Sequence, residues 1–452
     1  MTYVMKINTL YKNDKTGREL KLPGLLTQDG LLISHLRYLA DHKQGASWRE
    51  RSVYAMRQLI LFINANVGRY EKNTELLEAF AKALEYGTID LSSSTDPLGL
   101  YWTSRKAADA KNLLYLITMY TDWLSKQEGH DLALANPFRT ATKTEERLNW
   151  CAYYQKEENV FLRHLHSDEI AANRHKLVRK IRTHDVPTSN RRSSKRFPES
   201  EIDNLLENGW TRRCGDPNAT KHDFIDYKGR ALTILMHYGG LRKSEPFHWF
   251  LSDLIVDKDH NEAIVRIYHP ANGRPPMHEE DFTNRRDLLE RRYCRLPRTE
   301  YALTEALYAG WKSPALTDGS DGYISVEFFP REKAKEFLYN YMMYIKYQRV
   351  NPPPEHDHPY AFTNTEGLPE TINNFNRQHR AAVHRIGLPH IKRLGTTEHG
   401  HRHAYGFRLA AAGMSGVYIM KAMHHKNPNS HKVYTEPSDE DVREEFRRTE
   451  LY

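Results

Sequence analysis

Residues 398–413, EHGHRHAYGFRLAAAG, put three histidines and an arginine within one turn and a half of chain. Imidazoles bind metals, carry protons and hydrogen-bond anions, and a guanidinium grips phosphate with a planar fork. On a strand, His399, His401 and His403 share a face, and an HxH pair there is a metal-ligand pattern. The only local acid, however, is Glu398. Ala404, Phe407, Leu409, Ala410 and Ala411 follow at helix-compatible spacing, and Gly413 marks a stop. The stretch is therefore predicted to be a helix, with Thr396 or Thr397 at its start. On a helix, residues two apart diverge, and His399 keeps only Arg402 and His403 on its face. A histidine and an arginine near a helix N-terminus suit an anion. Taken alone, a buried structural arginine and a satisfied histidine explain the stretch better.

Two other stretches add to it. GGLRKSEPFHWFLSDL (239–254) presents Arg242 just after a double-glycine break, with Glu245 three residues on and able to hold the turn. SGVYIMKAMHHKNPNSHKVYTEP (415–437) gives a short helix, then His424-His425, then a polar turn. Tyr434 lies nine residues after His425 in a polar segment with Lys432 and Thr435, where a core role is hard to assign.

Together these residues resemble the tyrosine recombinases, the family of phage integrases and Xer-type resolving enzymes. The resemblance rests on Gly240-Leu241-Arg242-Lys243-Ser244-Glu245, on His399-Gly400-His401-Arg402, on His425 and on Tyr434, in the family's order, and covers roughly residues 197–437. It implies a site-specific recombinase that cuts and rejoins DNA through a 3′-phosphotyrosine. Arg242 and Arg402 would clamp the phosphate oxygens, His399 would assist proton transfer from the tyrosine, His425 would donate to the phosphate, and Tyr434 would attack. A second 5′ hydroxyl then attacks the phosphotyrosine and reverses the step, so neither cofactor nor metal is implied. His401 and His403 are expected as bystanders. The family's hairpin lysine, the general acid, has no counterpart in HPANGR (269–274), and Lys258, His269 and Arg274 are the substitutes considered. The family's usual leucine is His401 here, and its usual glycine before the second histidine is His424. Two rival readings are a recombinase-fold DNA-binding protein without activity and a metal-dependent hydrolase using the histidine cluster.

The composition fits this. The chain has 452 residues, 39% hydrophobic and 27% charged, with a formal net charge of +8. Such a chain holds two or three globular domains and favours an anionic partner, nucleic acid being the commonest. Cys151, Cys214 and Cys294 are too scattered for a disulfide framework or a zinc knuckle. No secretory signal or membrane-length apolar run is present, so a soluble, cytoplasmic protein is expected. The expected partners are double-stranded DNA, further copies of the chain (a tetramer on DNA, by resemblance) and accessory DNA-bending or directionality proteins.

The elements that must position these groups are expected to form a mainly α fold with a small antiparallel β-sheet: a helical core-binding domain and a mixed α+β catalytic domain around the duplex. Residues 1–25 are read as an N-terminal extension. Residues 26–130 form the helical domain. Ser47 and Glu50 form a capping box, Val53, Met56, Ile60 and Ile63 a buried stripe, and Ser104–Lys126 a second helix facing inward through Leu113, Leu116, Ile117, Tyr120 and Leu124. Residues 131–196 are a basic linker whose RHKLVRKIRTHDVPTSNRRSSKR run (174–196) straps a phosphate backbone. Residues 197–452 are the catalytic domain, with a hairpin closed at Asn272-Gly273, a charged insertion at 276–295 and a C-terminal helix at 441–452 that a neighbour can borrow.

Overall fold

Alternating exposure along Val4–Lys12 makes the first residues a strand rather than an extension. This β1 pairs antiparallel with β2 (Glu19–Thr27), and β2 with β3 (Gly30–Leu31). The sheet sends Val4, Leu22 and Leu25 into a core shared with α1 (Ile33–Asp41), α2 (Ala46–Ala65), α3 (Asn73–Tyr86) and α4 (Ala107–Leu124). The structure is a computed structural model that describes residues 3–12, 17, 19–42, 44–90, 92–127, 133–157, 176–184, 195–279, 281–435, 443, 446 and 447. The chain forms two units, Met1–Thr188 and Ser189–Tyr452. The architecture is mainly helical with small antiparallel sheets, and no described helix is long and apolar enough to cross a membrane.

In the first unit two local expectations shift. α2 begins at Ala46 behind Gly45, with no side-chain cap, so the Ser47 capping box does not form. Its buried face runs through Val53, Met56, Leu59 and Phe62, and Ile63 is exposed. The stripe turns because α2 packs on both the sheet and α4. α4 buries Leu113, Leu116, Ile117 and Tyr120 as read from spacing.

The segment expected as a linker is partly folded. β4 (Phe138–Thr140) pairs with β5 (Leu177–Arg179), and α5 (Lys143–Glu157) lies between them in sequence. The Asn136 amide brackets Ile181, donating to its carbonyl and accepting from its N–H. In the basic run, Arg179 pairs with Asp122, Arg182 with Glu145 and His184 with Glu85. These three side chains meet acids of their own unit, while Lys176 and Lys180 are exposed. Residues 174, 175 and 185–194 of the run lie outside the described residues, as does most of the expected C-terminal helix.

The second unit is built around α6 (Tyr227–His237), capped by the Asp226 carboxylate on the Gly229 N–H and buried through Ala231, Leu232, Ile234 and Leu235. Beside it stands a three-stranded antiparallel sheet of β6 (Leu254–Asp257), β7 (Glu262–Tyr268) and β8 (Tyr323–Ser325). Val265 and Ile267 point inward and Ile264 outward, as the alternation predicts. The hairpin closes at residues 258–261, with Asn261 left-handed, not at Asn272-Gly273. Gly273 instead closes a turn onto the His269 carbonyl that sends the chain away from the sheet. The long return to β8 carries α7 (Arg285–Tyr293). Three more helices complete the unit: α8 (Lys333–Tyr347), α9 (Ile372–Arg385) and α10 (Glu398–Ala411), followed by short α11 (Gly416–Ala422) and α12 (Lys432–Thr435).

The charged insertion is locked down by one buried ion pair. The Arg285 guanidinium is 0% exposed, donates to both Asp253 carboxylate oxygens at 2.8 and 2.5 Å, and lies between the Phe250 and Tyr268 rings at 4.2 Å from each. Removing one partner of such a pair strands the other charge without water. Asp253→Ala is expected to lower unfolding stability by about 3–5 kcal/mol in urea denaturation. A loss below about 1 kcal/mol would mean that the pair does not anchor the insertion.

Candidate functional site

The stretch that opened the question is a helix, α10, and its two faces do different work. Thr397 precedes it without a side-chain cap, and Thr396 spends its hydroxyl on the preceding loop, accepting from the Ile391 N–H at 2.9 Å. The inner face carries His401, Tyr405 and Arg408. His401 is fully buried, stacked on Phe197, and sits 2.8 Å from His379 and 3.1 Å from His237. His237 in turn lies 3.4 Å from Glu199, whose carboxylate accepts from Arg408 at 2.9 Å. Burial holds His237 at about 4 and His401 well below its ordinary range. A neutral imidazole has one donor and one acceptor, so a row of them can be satisfied end to end. Tyr405 donates to the Glu327 carbonyl at 2.6 Å. This face bolts α10 to α6, α9 and the segment after β8.

The metal reading of His399, His401 and His403 fails on this geometry, because His401 faces the core while the other two face out. The one close grouping of metal-type ligands among the described residues is different: His379, His390 and Glu398. Glu398 stands on the first turn of α10, where the helix dipole favours an anion over a cation. Burial pushes its carboxyl up, but the His379 hydrogen bond, the charges of His379 and His390 and the helix backbone pull it down to about 2.

The outer face opens on the candidate site. Arg402 is 3% exposed, and its two terminal nitrogens donate to the Gly240 and Met423 carbonyls. One guanidinium thus ties three segments: α10, the turn after α6, and the end of α11. Gly240 is left-handed, and a Cβ there would stand 2.4 Å from the Tyr405 ring, so glycine alone lets its carbonyl face Arg402. The next turn is held as expected. Glu245 accepts from the Arg242 backbone N–H and from its guanidinium, both at 2.7 Å. Burial, and then the Arg242 charge, lower Arg402 to about 10. Two guanidiniums packed this way leave a cationic pocket that an anion relieves.

His425 follows the left-handed His424, whose ring stands 2.7 Å from the Ser325 carbonyl. That ring contact supports a backbone shape that glycine adopts without strain. Tyr434 folds back so that its ring stacks parallel to His425, 6.1 Å between centroids, and edge-on to Phe407. Gly406 makes room for it: a Cβ there would stand 2.7 Å from the Tyr434 ring. Tyr434 is 7% exposed, and burial raises its phenol while Arg402 and Arg242 pull it back. Its hydroxyl lies 3.2 Å from His403 Nδ1.

Arg242, Arg402, His425 and Tyr434 are therefore brought together. His399 lies at the exposed rim, its ring 4.5 Å from that of His403, and carries no hydrogen bond to Tyr434 among the described residues. His403, expected as a bystander, is the histidine that meets the tyrosine. His401, the other expected bystander, packs the core.

None of the three general-acid substitutes joins this group. Lys258 sits exposed in the β6–β7 turn. His269 Nδ1 accepts from the Ala271 and Asn272 N–H groups at 3.1 and 3.0 Å. Arg274 pairs with Asp321 at 3.6 Å. A lysine that sequence reasoning passed over does approach. Lys312 is exposed on the connection from β7 to β8, and its charge helps hold His399 at about 4, after partial burial, His403 and Arg402. Its segment is pinned at both ends: Ser244 donates to the Gly310 carbonyl at 2.6 Å, and the Ala315 N–H to the His424 carbonyl at 3.2 Å. The signal for it is a Trp311-Lys312 pair fixed between Gly310 and Pro314, far from the hairpin where a lysine was sought.

Inorganic phosphate should find the cationic pocket. Wild-type protein in phosphate at ten times its dissociation constant should gain about 1.4 kcal/mol of stability, and Arg242→Gln should lose most of that increment. Equal increments in both proteins would show that Arg242 does not bind the anion.

No protein-family model and no curated protein matches the chain. It is similar to several solved structures. XerH site-specific recombinase bound to palindromic difH substrate, in a post-cleavage complex, has 11% identity and a TM-score of 0.39, covering 92% of this chain and 94% of that one. The Tn1549 transposon integrase in complex with transposon right end DNA has 14% identity and a TM-score of 0.37, covering 88% and 99%. XerA recombinase has 12% identity and a TM-score of 0.34, covering 92% and 97%.

Proposed function

We propose that the protein is a tyrosine recombinase that cleaves and rejoins double-stranded DNA through a covalent 3′-phosphotyrosine at Tyr434. The observation that carries this reading is the meeting of Tyr434 with Arg242, Arg402 and His425 in one cationic pocket, from segments far apart in sequence. Phosphodiester transfer needs a nucleophile that conserves the ester bond and fixed donors for the charge developing on the non-bridging oxygens. Tyr434 supplies the first and the two guanidiniums the second. Their forks match a phosphate and keep their charge. Arg402 has both terminal nitrogens tethered before substrate arrives, so its position costs nothing at the moment of reaction. His425, held neutral by burial and by both arginines, is suited to donate a ring N–H to a non-bridging oxygen.

Attack of the Tyr434 oxygen on phosphorus forms the O–P bond and breaks the bond to the 5′ oxygen. That oxygen must gain a proton, and Lys312 is the cation suited to give it. Rejoining is the reverse step with a second 5′ hydroxyl. The net positive charge supports a DNA partner, and assembly of several copies on DNA belongs to the same reading.

A nicked suicide substrate, whose released fragment with the free 5′ hydroxyl diffuses away, should trap wild-type protein as a covalent adduct, and Tyr434→Phe should form none. Intact DNA binding with no wild-type adduct would leave a binding protein without strand transfer. Lys312→Ala should slow cleavage by on the order of 10²–10⁴, the usual worth of general acid catalysis. A sulfur in place of the scissile 5′ oxygen leaves as a thiolate, with a thiol pKa near ~8.5, and should restore most of the rate. No restoration would remove Lys312 from the acid role.

A further inference from the structure

The phenol that must attack is buried, and its proton needs a destination. Among the described residues, the hydrogen-bond partner of the Tyr434 hydroxyl is His403 Nδ1, at 3.2 Å. His399, the histidine that the motif nominates, stands one helical turn away at the rim, its ring edge-on to that of His403 at 4.5 Å. We propose that His403 is the general base that takes the Tyr434 proton during strand cleavage, with His399 as a positioning residue that fixes the His403 ring. This rests on the strand-transfer reading above.

The contact is constrained from several sides. His403 sits one residue after Arg402, so the tether of that guanidinium to Gly240 and Met423 also fixes the base. Gly406, one turn on, leaves the space in which the Tyr434 ring lies, and Phe407 meets that ring edge-on at 5.5 Å. His425 closes the opposite face of the tyrosine. The phenol is thus held between two imidazoles, and only the His403 ring presents a nitrogen to its oxygen.

The charges around His403 make the step substrate-dependent. It faces His399 and Arg402 on α10, Lys392 from the preceding turn, and Tyr434 from α12. Burial, then Arg402 and Lys392, keep its pKa at about 4, so it is neutral at pH 7 and its Nδ1 can accept. A phosphate between the two guanidiniums cancels the repulsion that disfavours an imidazolium beside them. The base therefore strengthens when the DNA is seated. In the step itself the O–H bond of Tyr434 breaks to His403 Nδ1 as the O–P bond forms, and the imidazolium returns the proton when the tyrosine leaves.

The test is single-turnover adduct formation on a suicide substrate from pH 6 to about 10, for wild type, His403→Ala, His403→Gln and His399→Ala, with DNA binding measured in parallel. His403→Ala and His403→Gln should bind DNA as wild type does and cleave on the order of 10²–10⁴ more slowly at pH 7. Their deficit should shrink as pH rises, because the ionised fraction of the phenol grows with pH without help from a base, and added imidazole should partly restore His403→Ala. A purely structural role would leave the deficit constant with pH and unmoved by imidazole. His399→Ala should lose less and keep the wild-type pH profile. Wild-type rates in His403→Gln, or a pH-dependent deficit in His399→Ala instead, would overturn the assignment while leaving strand transfer intact. Absence of a wild-type adduct would overturn strand transfer and the assignment together.

Discussion

The second unit depends on a buried guanidinium. Arg402 cannot lose its charge at ordinary pH and cannot reach bulk water, so the fold must supply oxygen atoms for it. It does so with two backbone carbonyls, those of Gly240 and Met423. Each comes from a chain reversal. The first needs a left-handed glycine against Tyr405, and the second precedes a left-handed histidine. Satisfying one charge thus fixes the Arg242 turn, the His425 turn and α10 relative to each other. The cost is a second guanidinium close by, with Glu245 beside it as the counter-charge. An anionic ligand completes the arrangement rather than adding to it.

Around this point the same side chain takes different roles by position. On α10, His401 is structural because a helical step of two residues turns it into the core against Phe197 and His379. His403 and His399 share the outer face one turn apart, but only the first reaches Tyr434. Composition gave no hint of this division, and periodicity gave most of it. The inner row of histidines, from Glu199 through His237, His401 and His379, leaves α10 little freedom to tilt. That rigidity is what a site with one wall on α10 requires.

Much of this was readable in the chain. The α10 helix followed from its apolar spacing, and the Arg242 turn from a glycine pair and a glutamate three residues on. The inward and outward sides of β7 followed from alternation. What escaped reading involved partners distant in sequence. The Asn272-Gly273 pair is a real turn signal, but it bends the chain out of the sheet, and Tyr268 pairs instead with Tyr323. Lys312 lies on that same connection, so its only signal is a Trp311-Lys312 pair far from the hairpin. His403 looked idle because Tyr434 reaches it only after the polar turn folds back over Gly406. The first strand escaped because its alternation is weak, with Val4 its one fully buried residue.

The central claim is that Tyr434 becomes joined to DNA. Trapping the protein on a nicked duplex, digesting both components and sequencing the nucleotide-bearing peptide by mass spectrometry tests it most directly. The expected product is the peptide containing Tyr434 with a nucleotide joined to it through its 3′ phosphate. A nucleotide on any other residue, or none under conditions where the protein binds the duplex, would contradict it.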